Sequence, residues 1–100
     1  MSIETITSRL QKKLSIAPPV KAKVKLDFGD EGVIFIDATQ SPPVLSHDDE
    51  DADTTLICSS ALFEKIMDGK QDPTMAYMMG KLKIKGSMGL AMKLNSIFED

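Results

Sequence analysis

Residues 20–28, VKAKVKLDF, alternate without a break: Val20, Ala22, Val24, Leu26 and Phe28 are apolar, and Lys21, Lys23, Lys25 and Asp27 are charged. An extended chain sorts such residues onto opposite sides, so one face of this strand is buried and the other is wet. The segment before it keeps a different period. Ile3, Ile6, Leu10 and Leu14 recur at spacings of three and four, which predicts a helix over 3–14. Ser2 is its N-cap, and Pro18-Pro19 prevents the helix from running on.

Beyond the alternating strand, Gly29-Asp30-Glu31-Gly32 supplies turn residues, and VIFIDA (33–38) is the returning strand of a hairpin. Ile34, Ile36 and Ala38 are expected inside, because Asp37 on the opposite face prefers water. Pro42-Pro43 opens a short strand, VLSH, which the acidic run DDEDAD (48–53) separates from a β-branched strand, TTLICS (54–59). Ser59 or Ser60 caps a helix whose Leu62, Phe63, Ile66 and Met67 form an apolar stripe, with Gly69 at its exit. Asp72-Pro73 opens a short helix through Met79. GKLKIKG is a fifth strand with Leu82 and Ile84 inward and Lys81, Lys83 and Lys85 outward. Ser87 caps a last helix on which Leu90, Ala91, Leu94, Ile97 and Phe98 share a face. Strands cluster instead of alternating strictly with helices, so the fold class is α+β, with helices packed on one sheet face.

The 100 residues form one domain by length, 1–100, and 42% hydrophobic content is ordinary for a folded globule. A net charge of −3 argues against nucleic acid as a partner. No apolar run approaches the roughly 18 residues that span a bilayer. MSIETITSRLQKKL lacks the layout of a secretory signal, and the single cysteine excludes an internal disulfide. A cytoplasmic domain is expected. Catalytic parts are few. His47, the only histidine, precedes two aspartates in a loop, and Cys58 sits in an apolar strand pattern as a small hydrophobe. Asp49, Asp51 and Asp53 imitate the start of a calcium loop, but its sixth and twelfth positions are Thr54 and Ser60 instead of glycine and glutamate. Neither phosphate-binding glycine pattern occurs. No enzyme, metal site or cofactor is expected.

Six of the seven methionines lie between Met67 and Met92, around the lysine-bearing fifth strand. Met88 and Met92 stand roughly 120° or more from the middle of the last helix's apolar stripe, at its margin. Pliable side chains there can line the mouth of an apolar cavity or rest against the preceding helix; the pattern serves both. The lysines likewise fit the solvent face of a sheet. They also fit contact with an anionic lipid surface or headgroup through Lys81, Lys83 and Lys85, joined by Lys21, Lys23 and Lys25.

The run DPTMAYMMGKLKIKGSMGLAMKL closely resembles the C-terminal signature of the sterol carrier protein type 2 family. There an Asn/Asp-Pro, an apolar pair and GKLKI-x-G lead into MGLAMKL. These features are Asp72-Pro73, Tyr77-Met78, Gly80 to Ile84 with Gly86, and Met88 to Leu94 here. The similarity extends back through SSALFEKIMDGK; before that it is one of element order only.

The resemblance implies a five-stranded mixed sheet covered on one face by helices, with an apolar tunnel between the layers. It implies a non-catalytic carrier of fatty acids, acyl-CoA, phospholipids or sterols, found alone or fused to enzymes of lipid metabolism. Carried onto this chain, the tunnel draws on Phe63, Ile66 and Met67, on Tyr77 and Met78, on Leu82 and Ile84, and on Met88, Ala91 and Met92. The sequence ends Ile-Phe-Glu-Asp, without the Ser-Lys-Leu-type ending of peroxisomal relatives and close behind the last helix, so a shortened C-terminal cover is expected. An accessory or protein-interaction domain that supports a lipid-metabolising enzyme, its tunnel vestigial, is the alternative. The methionines suit a hollow core. Empty volume costs about 24 cal/mol per Å3, several kcal/mol for a tunnel of about 300 Å3, and soft side chains reduce that cost by sagging inward.

Overall fold

The computed structural model describes residues 3–16, 20–40 and 43–98. The expected cap at Ser2, the breaks at Pro18-Pro19 and Pro42, and the side chain of Phe98 lie outside the described residues. In chain order the elements are α1 (Ile3–Ile16), β1 (Lys23–Asp27), a 3-10 turn (Gly29–Glu31), β2 (Val33–Asp37) and β3 (Val44–Ser46). Then come β4 (Thr54–Ile57), α2 (Ser60–Met67), α3 (Pro73–Met78), β5 (Lys83–Gly86) and α4 (Met88–Phe98).

The five strands form one mixed sheet in the order β3-β2-β1-β4-β5. β1 pairs antiparallel with β2 and parallel with β4, and β4 pairs antiparallel with β5. β1 is shorter at its start than the alternation predicts. Lys21 adopts φ 57°, a left-handed conformation that a ladder cannot pass through, so regular pairing begins at Lys23.

The register stacks mainly apolar residues into two rows on one face. Leu45, Ile36, Val24, Thr54 and Gly86 make the first, and Ile34, Leu26, Leu56 and Ile84 the second. Ile6, Leu10 and Leu14 of α1 and Phe63, Ile66 and Met67 of α2 join these rows in one buried cluster, as do Ala76 of α3 and Ala91 and Leu94 of α4. Ile34, Ile36 and Ala38 are the inward set of β2, as expected.

The opposite face departs from a simple wet surface. Phe35 lies there, yet it is buried. β3 and β4 both run in the direction of β1, so residues 47–53 must travel back along the sheet to join them. Lys25 Nζ contacts Asp49 Oδ1 at 2.8 Å, which places that connection over the open face. Asp53 then accepts the Lys23 backbone N–H at 2.8 Å. The acidic run is mostly exposed but tied to β1 at two points. Its hydrogen bond to Asp49 holds the Lys25 amine above its ordinary pKa. At the far end of β2, Asp37 accepts from the Thr39 hydroxyl and from Gln40, which holds its carboxyl below the usual range.

Local signals set the helix ends. Ser59 Oγ accepts the Leu62 N–H at 3.1 Å, Asp72 Oδ1 accepts that of Thr74 at 3.1 Å, and Ser87 Oγ accepts that of Leu90 at 3.2 Å. Ser60, the other cap considered, is buried and donates its hydroxyl to Glu31.

Candidate functional site

The segment from α2 to α4 is where the ten candidate wall residues fall. Gly80 ends α3: at φ 77°, its N–H reaches the Tyr77 carbonyl at 3.1 Å while the Lys81 N–H reaches that of Ala76 at 2.9 Å. This paired closure terminates the helix with a left-handed residue and turns the chain directly into β5. Gly86 closes β5 against the start of β4, where the Ser87 N–H donates to the Asp53 carbonyl at 3.0 Å. α4 leaves from that point and packs on β4, β5, α1 and α2.

The ten candidates separate by depth. Phe63, Ile66, Met67, Leu82 and Ala91 are enclosed, none more than 1% exposed. The Phe63 ring stands 5.6 Å from that of Phe28 at 59°. Ile84 and Met92 are half-buried. Tyr77, Met78 and Met88 are not enclosed: they are 39%, 75% and 39% exposed, and Met75 and Met79 join them at the surface. For Tyr77 and Met78 this differs from the expected wall positions. A six-residue helix buries one narrow stripe, and in α3 Ala76 takes it. The methionines therefore divide into a buried Met67, a half-buried Met92 and an exposed group around α3 and the head of α4.

Lys81, Lys83 and Lys85 are exposed, Lys83 and Lys85 on the outward face of the edge strand β5. Lys25 does not join them freely, because Asp49 engages it.

Asn95 is the residue that hydrophobic periodicity does not single out. It is 3% exposed, and neither its Nδ2 nor its Oδ1 has a hydrogen-bond partner among the described residues. Each such orphaned group costs about 1–3 kcal/mol. Glu64 Oε1 of α2 is also buried without a partner among the described residues. The signal in the sequence is positional. Met88, Ala91, Met92 and Asn95 stand at i, i+3, i+4 and i+7, one stripe of α4.

Groups with catalytic chemistry lie apart from this stripe in character. Burial pushes the Cys58 thiol up to about 12, so it stays protonated and unreactive at neutral pH. The exposed His47 has its Nδ1 3.0 Å from the Val33 carbonyl. Among the described residues no group of acidic, histidine and cysteine side chains forms a metal site, and no helix is long and apolar enough to cross a membrane.

Compared with known proteins, residues 3–99 match the SCP-2 sterol transfer family. A segment of 46 residues, 46% of this chain, is 56% identical to hydroxysteroid dehydrogenase-like protein 2 of Xenopus tropicalis and covers 11% of that protein. Over 54 residues, 54% of this chain, there is 46% identity to human sterol carrier protein 2, covering 10% of it. The chain thus matches only about a tenth of the length of these relatives. In structure it superposes with TM-score 0.79 and 21% identity on sterol carrier protein-2 of Aedes aegypti, solved in complex with palmitate, covering 98% of this chain and 96% of that one.

Proposed function

This chain belongs to the SCP-2 sterol transfer family, and we propose that it is a non-catalytic, cytoplasmic carrier of fatty acyl chains, phospholipids or sterol-like molecules. The cargo occupies an apolar hollow between the helices and the covered face of the sheet. One observation carries this reading: burial deepens along one stripe of α4, from Met88, 39% exposed, through half-buried Met92 to Asn95, 3% exposed, with Ala91 enclosed beside them. On this reading the cargo enters along that stripe, which carries no polar residue before Asn95. The palmitate complex of the Aedes aegypti relative supports the same kind of cargo. Each buried CH2 contributes about 0.8 kcal/mol, so a long chain binds without specific polar contacts. Native mass spectrometry of the freshly purified protein, followed by lipid extraction, tests it. Bound apolar adducts are expected; protein that never carries or takes up an acyl chain removes the carrier reading.

The second reading, an accessory domain serving a lipid-metabolising enzyme with the hollow vestigial, is favoured by the Xenopus relative, in which the matched segment is a small part of a dehydrogenase-like protein. Adducts in the isolated chain decide between the two.

Cargo would be exchanged at a membrane through the exposed Met78 and Met79, with Lys81, Lys83 and Lys85 facing anionic headgroups. Each lysine contributes about 1 kcal/mol near such a surface, enough for a visit and too little for an anchor. Changing all three to glutamine is expected to weaken association with anionic vesicles about a hundredfold and to leave neutral vesicles unaffected. Vesicle sedimentation reads this directly, and equal binding by both proteins would remove the lysines from the proposal.

A further inference from the structure

We propose that Asn95 is the polar terminus of the hollow, where its carboxamide receives a cargo group that both donates and accepts a hydrogen bond. The chemical class is an otherwise apolar molecule ending in a hydroxyl or an un-ionised carboxyl. This rests on the carrier reading, because it needs cargo to reach the interior.

Two independent features meet at this residue. The first is position. Asn95 follows Met88, Ala91 and Met92 on their own stripe of α4, about 10 Å along the axis from the exposed Met88. It stands at the deep end of the burial gradient, so a molecule following the methionines inward meets it last. The second is valence. A carboxamide has two N–H donors and an acceptor oxygen. Here both Nδ2 and Oδ1 are buried and without partners among the described residues. A hydroxyl serves both ends, accepting from Nδ2 and donating to Oδ1. A carboxylate serves only the nitrogen, and a hydrocarbon serves neither. A site built around an unpaired donor and acceptor discriminates against cargo lacking the matching group, because such cargo leaves buried polar atoms unpaired.

The test is displacement of a fluorescent acyl probe from the whole chain by two ligands of equal chain length, 1-dodecanol and dodecyl methyl ether. The ether accepts a hydrogen bond but donates none. Wild type is expected to bind the alcohol about tenfold more tightly. In Asn95→Leu and, as a more pliable second variant, Asn95→Met, the two ligands are expected to bind within about twofold of each other. Should wild type hold both ligands equally, the amide is served by trapped water or is never reached, and the inference fails while the carrier reading stands. Persistence of the alcohol preference in both variants overturns it as well. Failure of wild type to bind either ligand removes the carrier reading, and this inference with it.

Discussion

Gly86→Ala is expected to destabilise the protein by about 3 kcal/mol or more, whereas Gly80→Ala costs only about 1–2 kcal/mol. Both glycines have positive φ, 90° and 77°, so both substitutions carry the left-handed penalty of a side chain. Space separates them. A Cβ at Gly80 meets nothing within 4 Å, while one at Gly86 comes 2.4 Å from the Asp53 carbonyl oxygen and 3.2 Å from Thr54 Cα. Those are backbone atoms of the connection entering β4, and Asp53 is fixed on both sides. Its N–H donates to the Lys23 carbonyl at 2.8 Å, and its carbonyl accepts from Ser87 at 3.0 Å. Nothing there can yield as a side chain would. Relief requires β5 to part from β4, which loosens Leu82, Ile84 and the start of α4 together. Denaturant unfolding of the two variants checks the contrast. Equal losses would mean that conformation alone, and not the close strand approach, requires glycine at the end of β5.

Much of this fold is legible in the residues themselves, because its local rules are strong. The charge alternation in β1 leaves one choice of inward face. Ser59, Asp72 and Ser87 each cap the helix they precede, and glycine ends α2 and α3. What escapes a linear reading depends on contacts between distant residues. Phe35 is buried on a face that the strand pattern leaves open, and a connection 12 or more residues later crosses that face, held by Asp49 on Lys25. The lysines of β1 and β5 look alike in sequence, yet one of the former is neutralised by the acidic run. Met78 and Met67 have the same chemistry and opposite surroundings, decided by which stripe of each helix meets the sheet. Asn95 is concealed for the same reason: its isolation is a property of what fails to reach it.

Phe63→Ala is expected to cost about 3–5 kcal/mol, a large share of the roughly 5–15 kcal/mol that holds a domain together. Phe63 is fully enclosed on α2, tilted against Phe28 and packed in the cluster that joins helices to sheet. At about 4–8 °C per kcal/mol for a domain of this size, the melting temperature should fall by roughly 12–40 °C. Loss of this size follows for any buried phenylalanine, so stability alone says nothing of cargo. The informative quantity is recovery. A ligand that binds only the folded state raises stability by RT ln(1 + [L]/Kd), about 2.7 kcal/mol at a hundredfold excess over Kd. If Phe63 borders the hollow, its removal enlarges space that an acyl chain can occupy, and each additional buried CH2 returns about 0.8 kcal/mol. Palmitate should therefore raise the melting temperature of Phe63→Ala by more than it raises that of wild type. Leu10→Ala, which empties a buried position on α1 that is not among the proposed walls, should lose about 2–5 kcal/mol and show only the wild-type gain. Were palmitate to shift all three proteins equally, Phe63 would be filling a closed core, and the inner wall of the hollow would have to be sought along α4 instead.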